Sequence, residues 1–392
     1  MSEKILFSCA ARLESLSVFR GILDNEIVRR LKIMLESPSP DTYGSFAGAL
    51  YTKGDDLAKA LLEIVIEDEN PFMLRLAAYE EVPPCVETAA KAELAALQEI
   101  SRLTSAEVKA AMGDAAEYIP AEWRSSEINF AKAYTERMSE LSTKGFGIFA
   151  KYHTFTLRDG KLIPVKNPDP QRLSQLSGYE LERGRVINNT MALLSDKPAA
   201  NVLLYGDAGT GKSSTVKAVV NEYKDMGLRL IELSKTQLAE LPDVIEKIAR
   251  NPLKFIIFVD DVSFSSDDDN FSSLKAALEG SVSAKTSNIA IYATSNRRHL
   301  VKERFSDRDG DDIHAGDTRE ELISLSERFG LKVAFLKPDK ETYLSIVSAL
   351  ARSHGIEVTD DLLMRAEAFA LRRNGRSGRA ARHFIDSVCS GM

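Results

Sequence analysis

The sequence has few cysteines, and they lie far apart. Its three cysteines, Cys9, Cys85 and Cys389, are odd in number and lack the short spacings of a metal site. Such usage is typical of free thiols in a reducing compartment rather than of a disulfide framework. The five histidines are also scattered, with no zinc-ligand spacing. The sequence therefore gives no support to a zinc enzyme or a disulfide-rich secreted protein.

Long apolar runs are lacking as well. No run reaches the roughly 18 to 20 residues that span a bilayer. The first residues place an acidic side chain before a short apolar run, which is not the pattern of a secretory signal. We therefore expect a cytoplasmic protein with no membrane partner.

The sequence also lacks a surplus of basic residues. The net charge is −7, and residues 1–140 contain 15 Lys and Arg against 24 Asp and Glu, whereas residues 141–392 contain 36 against 34. Phosphate-backbone binding depends on clustered Lys and Arg, so the acidic first part is a poor nucleic-acid surface. Nucleic acid remains an alternative partner that the charge does not favour.

The chain is predicted to have four regions. Residues 1–144 have helical apolar spacing interrupted by Pro and Gly, which predicts an all-helical N-terminal domain. Residues 145–170 predict a β-hairpin and a linker, because Asp-Gly separates two β-prone runs and prolines follow. Residues 171–337 alternate apolar strands with helices, and residues 338–392 are helical again.

The alternating region predicts an α/β fold. Strands that are apolar nearly end to end and separated by helices imply a doubly wound parallel sheet covered on both faces. We predict a five-stranded core, followed by a C-terminal helical lid. The predicted strands are 201–205, 228–233, 255–260, 289–294 and 331–336.

A glycine-rich segment between the first of these strands and a helix fits the pattern G-x-x-x-x-G-K-[ST]. In this pattern, glycines let backbone N–H groups surround phosphates at a helix N-terminus. Lys212 would contact the β- and γ-phosphates of ATP, and the Ser213 hydroxyl would bind Mg²⁺. The predicted nucleotide-binding residues here are Gly206, Asp207, Ala208, Gly209, Thr210, Gly211, Lys212, Ser213 and Ser214.

An acidic pair follows a second apolar strand. Residues 255–261, FIIFVDD, end in Asp260 and Asp261. Asp260 is predicted to hold Mg²⁺ with Ser213, as the Walker-B acid does. Asp261 is predicted to be the base or orienter of the attacking water. The alternative for both acids is a cap on the following turn.

Further motifs resemble those of AAA+ ATPases. Asn296, after the strand 289–294, resembles sensor 1, which positions the lytic water. Arg328, in the segment 324–330, resembles an arginine finger that reaches the nucleotide of a neighbouring subunit. The resemblance therefore implies a homo-oligomer.

Two more segments extend this resemblance. Arg379 resembles sensor 2 at the start of the last helix, with Arg376 as the second candidate. Gly178 and Tyr179 lie where the class places a loop against adenine. For arginines of this region other than Arg379, the alternative interpretation is that they are surface charges on a helix.

The segments are similar to those of the AAA+-like ATP-binding proteins of domain of unknown function 815. That resemblance covers about residues 171–390 and implies ATP binding, hydrolysis and AAA+-type assembly. It is carried by residues 201–223, 227–233, 258–264, 291–301, 324–330 and 376–385.

Two features depart from the common AAA+ pattern. Asp261 stands where Glu is usual. Its side chain is one methylene shorter, so its carboxylate would lie about 1.5 Å further back. A base must be within hydrogen-bond reach of the water, so slow hydrolysis is an alternative outcome. Residues 234–239 are polar and lack the aromatic pore-loop residue, which does not favour polypeptide threading.

We therefore predict an AAA+ ATPase that uses ATP and Mg²⁺ and couples the nucleotide state to a conformational change on an unidentified partner. A protein partner would bind through the helical N-terminal domain. The alternatives are a nucleotide-dependent interaction switch with little hydrolysis, a DNA-associated loader or initiator, and a small-molecule P-loop kinase. The kinase would leave Asn296 and Arg328 without a role.

Overall fold

The computed structural model describes residues 2–262, 274–278, 287–296, 327–373 and 375–391. Parts of the segments 291–301 and 324–330, which carry some of the resemblance, lie outside these residues. The chain divides into two compact units, Met1–Gly147 and Ile148–Met392. The four-part division made from the sequence stays a prediction.

The regular secondary structure of the first unit is helical within its described residues. Side chains at helix N-caps, such as Ser39, Asp56 and Thr104, accept hydrogen bonds from backbone N–H groups of the first turn. Its helices are α1 (Ser2–Glu14), α2 (Glu26–Glu36), α3 (Pro40–Tyr51), α4 (Leu57–Glu67), α5 (Pro71–Ala77), α6 (Pro84–Ser101), α7 (Ser105–Met112), α8 (Phe130–Ser139) and α9 (Leu141–Lys144).

Aromatic side chains fix the long connection between α7 and α8 to the core of this unit. The Trp123 ring lies 5.0 Å from that of Tyr43 and 5.1 Å from that of Phe46. Its Nε1 donates a hydrogen bond to the Leu103 carbonyl at 2.9 Å. The indole therefore buries apolar area while its one polar group is satisfied.

The second unit alternates strands with helices. Residues 274–278 are also helical. Among all the described helices, none combines the length and apolarity needed to cross a membrane. The elements are α10 (Ile148–Lys151), β1 (Thr154–Arg158), β2 (Lys161–Pro164), α11 (Glu180–Leu194), β3 (Val202–Gly206), α12 (Lys212–Tyr223), β4 (Leu228–Leu233), α13 (Leu241–Ile248), β5 (Lys254–Val259), β6 (Ile289–Ser295), β7 (Leu331–Phe335), α14 (Lys340–Ser353), α15 (Asp360–Arg372) and α16 (Gly378–Cys389).

Within the described residues, the sheet has seven strands in the order β2-β1-β4-β5-β6-β3-β7. The five strands predicted from the sequence are present as β3 to β7, and the hairpin β1–β2, predicted as a separate element, joins the same sheet. A separate five-stranded core stays a prediction. β1 pairs in parallel with β4, with Phe155 opposite Ile231, whereas β2 pairs antiparallel with β1. Asp159 and Gly160 between them both have positive φ, as a tight two-residue turn requires.

Both faces of the sheet are covered by helices. Along β5, Ile257 and Val259 belong to one apolar cluster with α13, and Ile256 and Phe258 belong to another with α12. The last three helices, α14 to α16, share a cluster of their own. Because β3, β5 and β6 are mutually parallel, their carboxyl ends meet at one edge of the sheet.

Candidate functional site

The loop between β3 and α12 is shaped by its glycines. Gly206 has φ +128°, and a Cβ there would lie 2.3 Å from the Phe335 carbonyl oxygen. Only glycine allows this approach, and the next N–H, that of Asp207, donates to the same oxygen at 3.0 Å. Gly209 and Gly211 also have positive φ. The loop leads into the first turn of α12, whose N–H groups have no intrahelical partners.

Lys212 is buried beneath this loop. Its Nζ donates to the carbonyls of Gly206 at 3.1 Å and Asp207 at 2.7 Å, and to Asn296 Oδ1 at 3.0 Å. Burial lowers the pKa of the Lys212 ammonium, while the nearby carboxylates of Asp207, Asp261 and Asp260 oppose that shift. The Lys212 ammonium is thus surrounded by two backbone carbonyl oxygens of the loop and one side-chain oxygen.

The Asp260 carboxylate lies at the carboxyl end of β5, facing the start of α12. Its Oδ1 accepts hydrogen bonds from Ser213 Oγ at 2.6 Å and from Thr294 Oγ1 at 2.5 Å. A hydroxyl and a carboxylate in contact are the hard oxygen donors that Mg²⁺ prefers, and Mg²⁺ commonly takes few protein ligands besides water and phosphate. Ser213 and Asp260 therefore fit this ion. The described residues contain no group of three or more His, Cys, Asp or Glu side chains placed to hold a metal.

Asp261 has an unusual backbone conformation and a fixed side chain. Its φ is +53°, a value uncommon for a residue with a Cβ. Its Oδ1 accepts a hydrogen bond from Asn296 Nδ2 at 2.7 Å. Asn296 therefore joins Lys212, through its oxygen, to Asp261, through its nitrogen.

The loop before α11 carries Gly178 and Tyr179. The Tyr179 hydroxyl donates to the Leu336 carbonyl at 2.6 Å, its ring lies 5.3 Å from that of Phe335, and burial raises its pKa. The Gly178 carbonyl accepts a hydrogen bond from the buried Arg183 guanidinium. Gly178 supports the loop, while Tyr179 lines the cavity described below.

The two sensor-2 candidates have different surroundings. Arg379 donates its backbone N–H to the Gly209 carbonyl at 3.1 Å, so α16 begins directly against the glycine-rich loop between β3 and α12. Arg376 lies outside the cavity and forms an ion pair with Glu367, which raises the pKa of Arg376 and lowers that of Glu367. Arg379 is thus the better placed of the two.

Asp207 connects the loop to the chain after β7. Its Oδ2 accepts a hydrogen bond from the Lys337 backbone N–H at 2.9 Å. Lys337 lies between the end of β7 and the start of α14. The glycine-rich loop therefore contacts the segment that leads into the C-terminal helices.

These elements surround one cavity of about 410 Å³. Gly206 and Asp207 shape the loop beside it. The predicted site residues that line it are Tyr179, Ala208, Gly209, Thr210, Gly211, Lys212, Ser213, Ser214, Asp260, Asp261, Asn296 and Arg379.

Arg328 lies elsewhere. It lines a different cavity, of about 600 Å³, together with Asn201 and Gly330. Asn201 and Gly330 directly precede β3 and β7, so this cavity is at the amino ends of the parallel strands. Within one chain, Arg328 and the glycine-rich loop after β3 are thus at opposite edges of the sheet.

Several lining residues were missed by sequence reasoning. Thr294 and Arg382 line the cavity, as do Ile346 and Leu350 from α14. Thr294 could have been suspected, since it is two residues before Asn296 at the carboxyl end of the same strand. For Arg382, one turn after Arg379, the sequence leaves two alternatives open, a contact with nucleotide or nucleic acid and helix-surface charge.

Comparisons with known proteins give a match to a family model and similarities to solved structures. The model of the family described as protein of unknown function (DUF815) matches residues 122–392, well over half of the chain. A search of curated proteins found no match. The crystal structure of the FIGL-1 AAA domain in complex with ADP is similar, at 18% identity and a TM-score of 0.41, over 57% of this chain and 74% of that one.

Proposed function

This chain belongs to the DUF815 protein family, and we propose that its cavity binds ATP with Mg²⁺ and hydrolyses it as an AAA+ ATPase does. The observation that carries the proposal is the meeting of Lys212, Asp261 and Asn296. These side chains come from α12 and from the ends of β5 and β6, and two hydrogen bonds join them. β6 lies between β3 and β5. The side-chain amide of Asn296, which directly follows β6, can therefore reach both the loop between β3 and α12, which is the proposed phosphate loop, and the acidic pair.

The proposed architecture follows from the same arrangement. The parallel strands β3 to β7 would form the nucleotide-binding core, and α14 to α16 would form the lid. Ile346 and Leu350 of α14 and Arg379 of α16 line the cavity with the phosphate loop, which supports a nucleotide held between core and lid. The helical unit would bind the unidentified partner.

Each side chain has a role that its position supports. Lys212 and Arg379 would bind the phosphates, and Ser213 and Asp260 would hold Mg²⁺. When bound, Mg²⁺ supplies positive charge that neutralises the phosphate oxygens. Asp261 would accept a proton from the water whose oxygen attacks the γ-phosphorus as the bond to ADP breaks. Asn296 would keep that carboxylate oriented, because it donates to Oδ1.

The first experiment compares two lysines of α12. Lys212→Ala removes the ammonium at the phosphate loop and should lower ATP affinity and phosphate release by about 10²-fold or more. Lys217→Ala is the matched control, because Lys217 pairs with Glu232 at 3.2 Å and lies outside the cavity. Fluorescent-nucleotide titration and steady-state phosphate release measure both. Equal behaviour of the two variants would refute the proposed site.

Arg328 would act on the nucleotide of a second copy. Its position at the opposite edge of the sheet prevents it from reaching its own phosphate loop, so the complete site would need an oligomer. Arg328→Ala should lose most turnover while still binding ATP. Mixing it with Lys212→Ala should restore part of the turnover, since the second variant supplies intact arginines. Full activity of Arg328→Ala at every protein concentration would remove the trans role.

A nucleotide-dependent switch with little hydrolysis is the second candidate. It is favoured by the short side chain of Asp261, one oxygen of which already accepts a bond from Asn296. If wild-type turnover is no faster than that of Asp261→Asn, while both bind ATP, the switch replaces the ATPase. A drop of about 10²-fold or more in Asp261→Asn would instead support a catalytic carboxylate.

A further inference from the structure

Three hydrogen bonds tie the turn after β5 to one residue of β6, Thr294. Its hydroxyl donates to Asp260 Oδ1 at 2.5 Å and accepts from the Asp261 N–H at 2.8 Å. Its carbonyl accepts from the Val262 N–H at 2.7 Å. Thr294 thus contacts three consecutive residues, two of which are the acidic pair.

The direction of these bonds is determined by the chemistry. A hydroxyl has one hydrogen, and the amide N–H of Asp261 can only donate, so the Thr294 oxygen accepts there and gives its hydrogen to Asp260. Thr294 is 2% exposed, and its β-branched side chain has few rotamers within a strand. One buried, stiff hydroxyl therefore sets the positions of both acids relative to each other.

The contact also bears on the backbone of Asp261. The left-handed region is unfavourable for a residue with a Cβ, so such a residue is held there by its surroundings. In this turn the surroundings include the Thr294 hydroxyl on the Asp261 N–H and the Thr294 carbonyl on the next N–H. That conformation presents the Asp261 carboxylate to Asn296.

We propose that Thr294 is a positioning residue of this site, and that its hydroxyl couples the metal-holding Asp260 to the water-orienting Asp261. The inference rests on the proposed ATPase function. Its hydroxyl is committed to the Asp260 carboxylate and to the Asp261 N–H. It acts through the two carboxylates, so its loss should change turnover and the benefit of Mg²⁺ but not nucleotide binding by the phosphate loop.

The test uses two substitutions in the full chain. Thr294→Val keeps the shape and the β-branch but deletes the hydroxyl, whereas Thr294→Ser keeps the hydroxyl. Groups that orient metal ligands typically change activity or metal affinity by about 10–100-fold. We expect a fall of about that size in kcat for the valine variant, with KM for ATP within about threefold, and turnover close to wild type for the serine variant.

A binding measurement supplies a readout independent of turnover. The affinity for a fluorescent ATP analogue is measured with excess Mg²⁺ and with EDTA. In Thr294→Val, the gain in affinity that Mg²⁺ provides should fall by about tenfold, because Asp260 loses one of its two hydroxyl donors. The affinity in EDTA should be unchanged, since Lys212 and the loop glycines are intact.

The matched control is Thr190→Val in α11. The Thr190 hydroxyl is also buried, bonds to Tyr292 Oη at 2.7 Å and donates to the Val186 carbonyl. Its removal should lower thermal stability while leaving turnover and the Mg²⁺ effect unchanged. A purely structural role for Thr294 would make the two valine variants behave alike.

The outcomes separate the inference from the function beneath it. Wild-type protein that neither binds nor hydrolyses ATP overturns both. Wild-type activity with an unchanged kcat and Mg²⁺ effect in Thr294→Val overturns the inference alone. If the valine variant does not fold, a serine variant that loses turnover by 10-fold or more while remaining folded also overturns it, since the hydroxyl is then not the operative group.

Discussion

The helical unit and the α/β unit use buried polar groups in different ways. In the helical unit, buried side chains such as Trp123 and Asn70 form hydrogen bonds that join distant segments, Trp123 with the Leu103 carbonyl and Asn70 with the Tyr134 hydroxyl. In the α/β unit, buried Lys212 and Thr294 converge with the acidic pair on one cavity. The first arrangement satisfies polar groups within a core, whereas the second gathers charges where a ligand can contact them. Stability and chemistry should therefore respond separately to substitutions in the two units.

The largest expected effect on stability is in the helical unit. Trp123→Ala removes a ring that is 6% exposed together with its hydrogen bond, so the free energy of unfolding should fall by about 3–5 kcal/mol. Nucleotide affinity should not change. Urea unfolding followed by circular dichroism is the measurement, because Trp123 is the only tryptophan. Trp123→Phe should lose less, and loss of nucleotide affinity in a folded variant would contradict the separation.

Two arginines of the α/β unit, Arg379 and Arg376, should differ in their effect on ATP affinity. Arg379→Ala should weaken ATP binding by about 10–100-fold, because Arg379 lines the cavity beside Gly209. Arg376→Ala breaks the pair with Glu367 and should reduce thermal stability while affinity stays within about threefold. Titration of a fluorescent nucleotide with each variant gives the ratio. The reverse ranking would exchange the roles of the two residues.

The smallest effect is a pH dependence of the helical unit. Burial raises the pKa of Asp68 from 3.8 to about 6, and its buried Oδ2 accepts no hydrogen bond from the described residues. The folded state therefore keeps this proton more tightly than the unfolded state. The stabilisation is complete below about pH 4 and is lost as pH rises through about 6.

Asp68→Asn should remove this dependence. The wild-type free energy of unfolding should fall by about 1–2 kcal/mol between pH 4 and 6.5, whereas the asparagine variant should show a flatter profile. Denaturant titrations across that range measure it. A parallel profile for the two proteins would show that Asp68 is not the titrating group.

The sequence located those parts of the site that are built locally. Gly206, Lys212 and Ser213 belong to one strand–loop–helix segment. Asp260 directly follows β5, which is the second apolar strand after that segment. Their residue types and spacing carry the chemistry, so no long-range pairing is needed to recognise them. The structure places Lys212, Ser213 and Asp260 around the same cavity.

The features that the sequence did not reveal depend on pairings between distant segments. The hairpin joins the sheet only because β1 finds β4, with Thr154 opposite Leu230. Thr294 reaches the acidic pair only because β6 lies beside β5. Likewise, the different surroundings of Arg376 and Arg379 follow from the position of Glu367 in the preceding helix. Local patterns do not encode such partners.

The bond from the Lys337 N–H to Asp207 has a mechanical consequence. It attaches the glycine-rich loop after β3 to the segment from which α14 extends. α14 has 14 residues and is therefore about 21 Å long. If a helix of that length rotates by a small angle about its first turn, its last residue is displaced by several ångströms. A movement of the loop backbone at Asp207 would thus be amplified along the first C-terminal helix within a single copy of the chain.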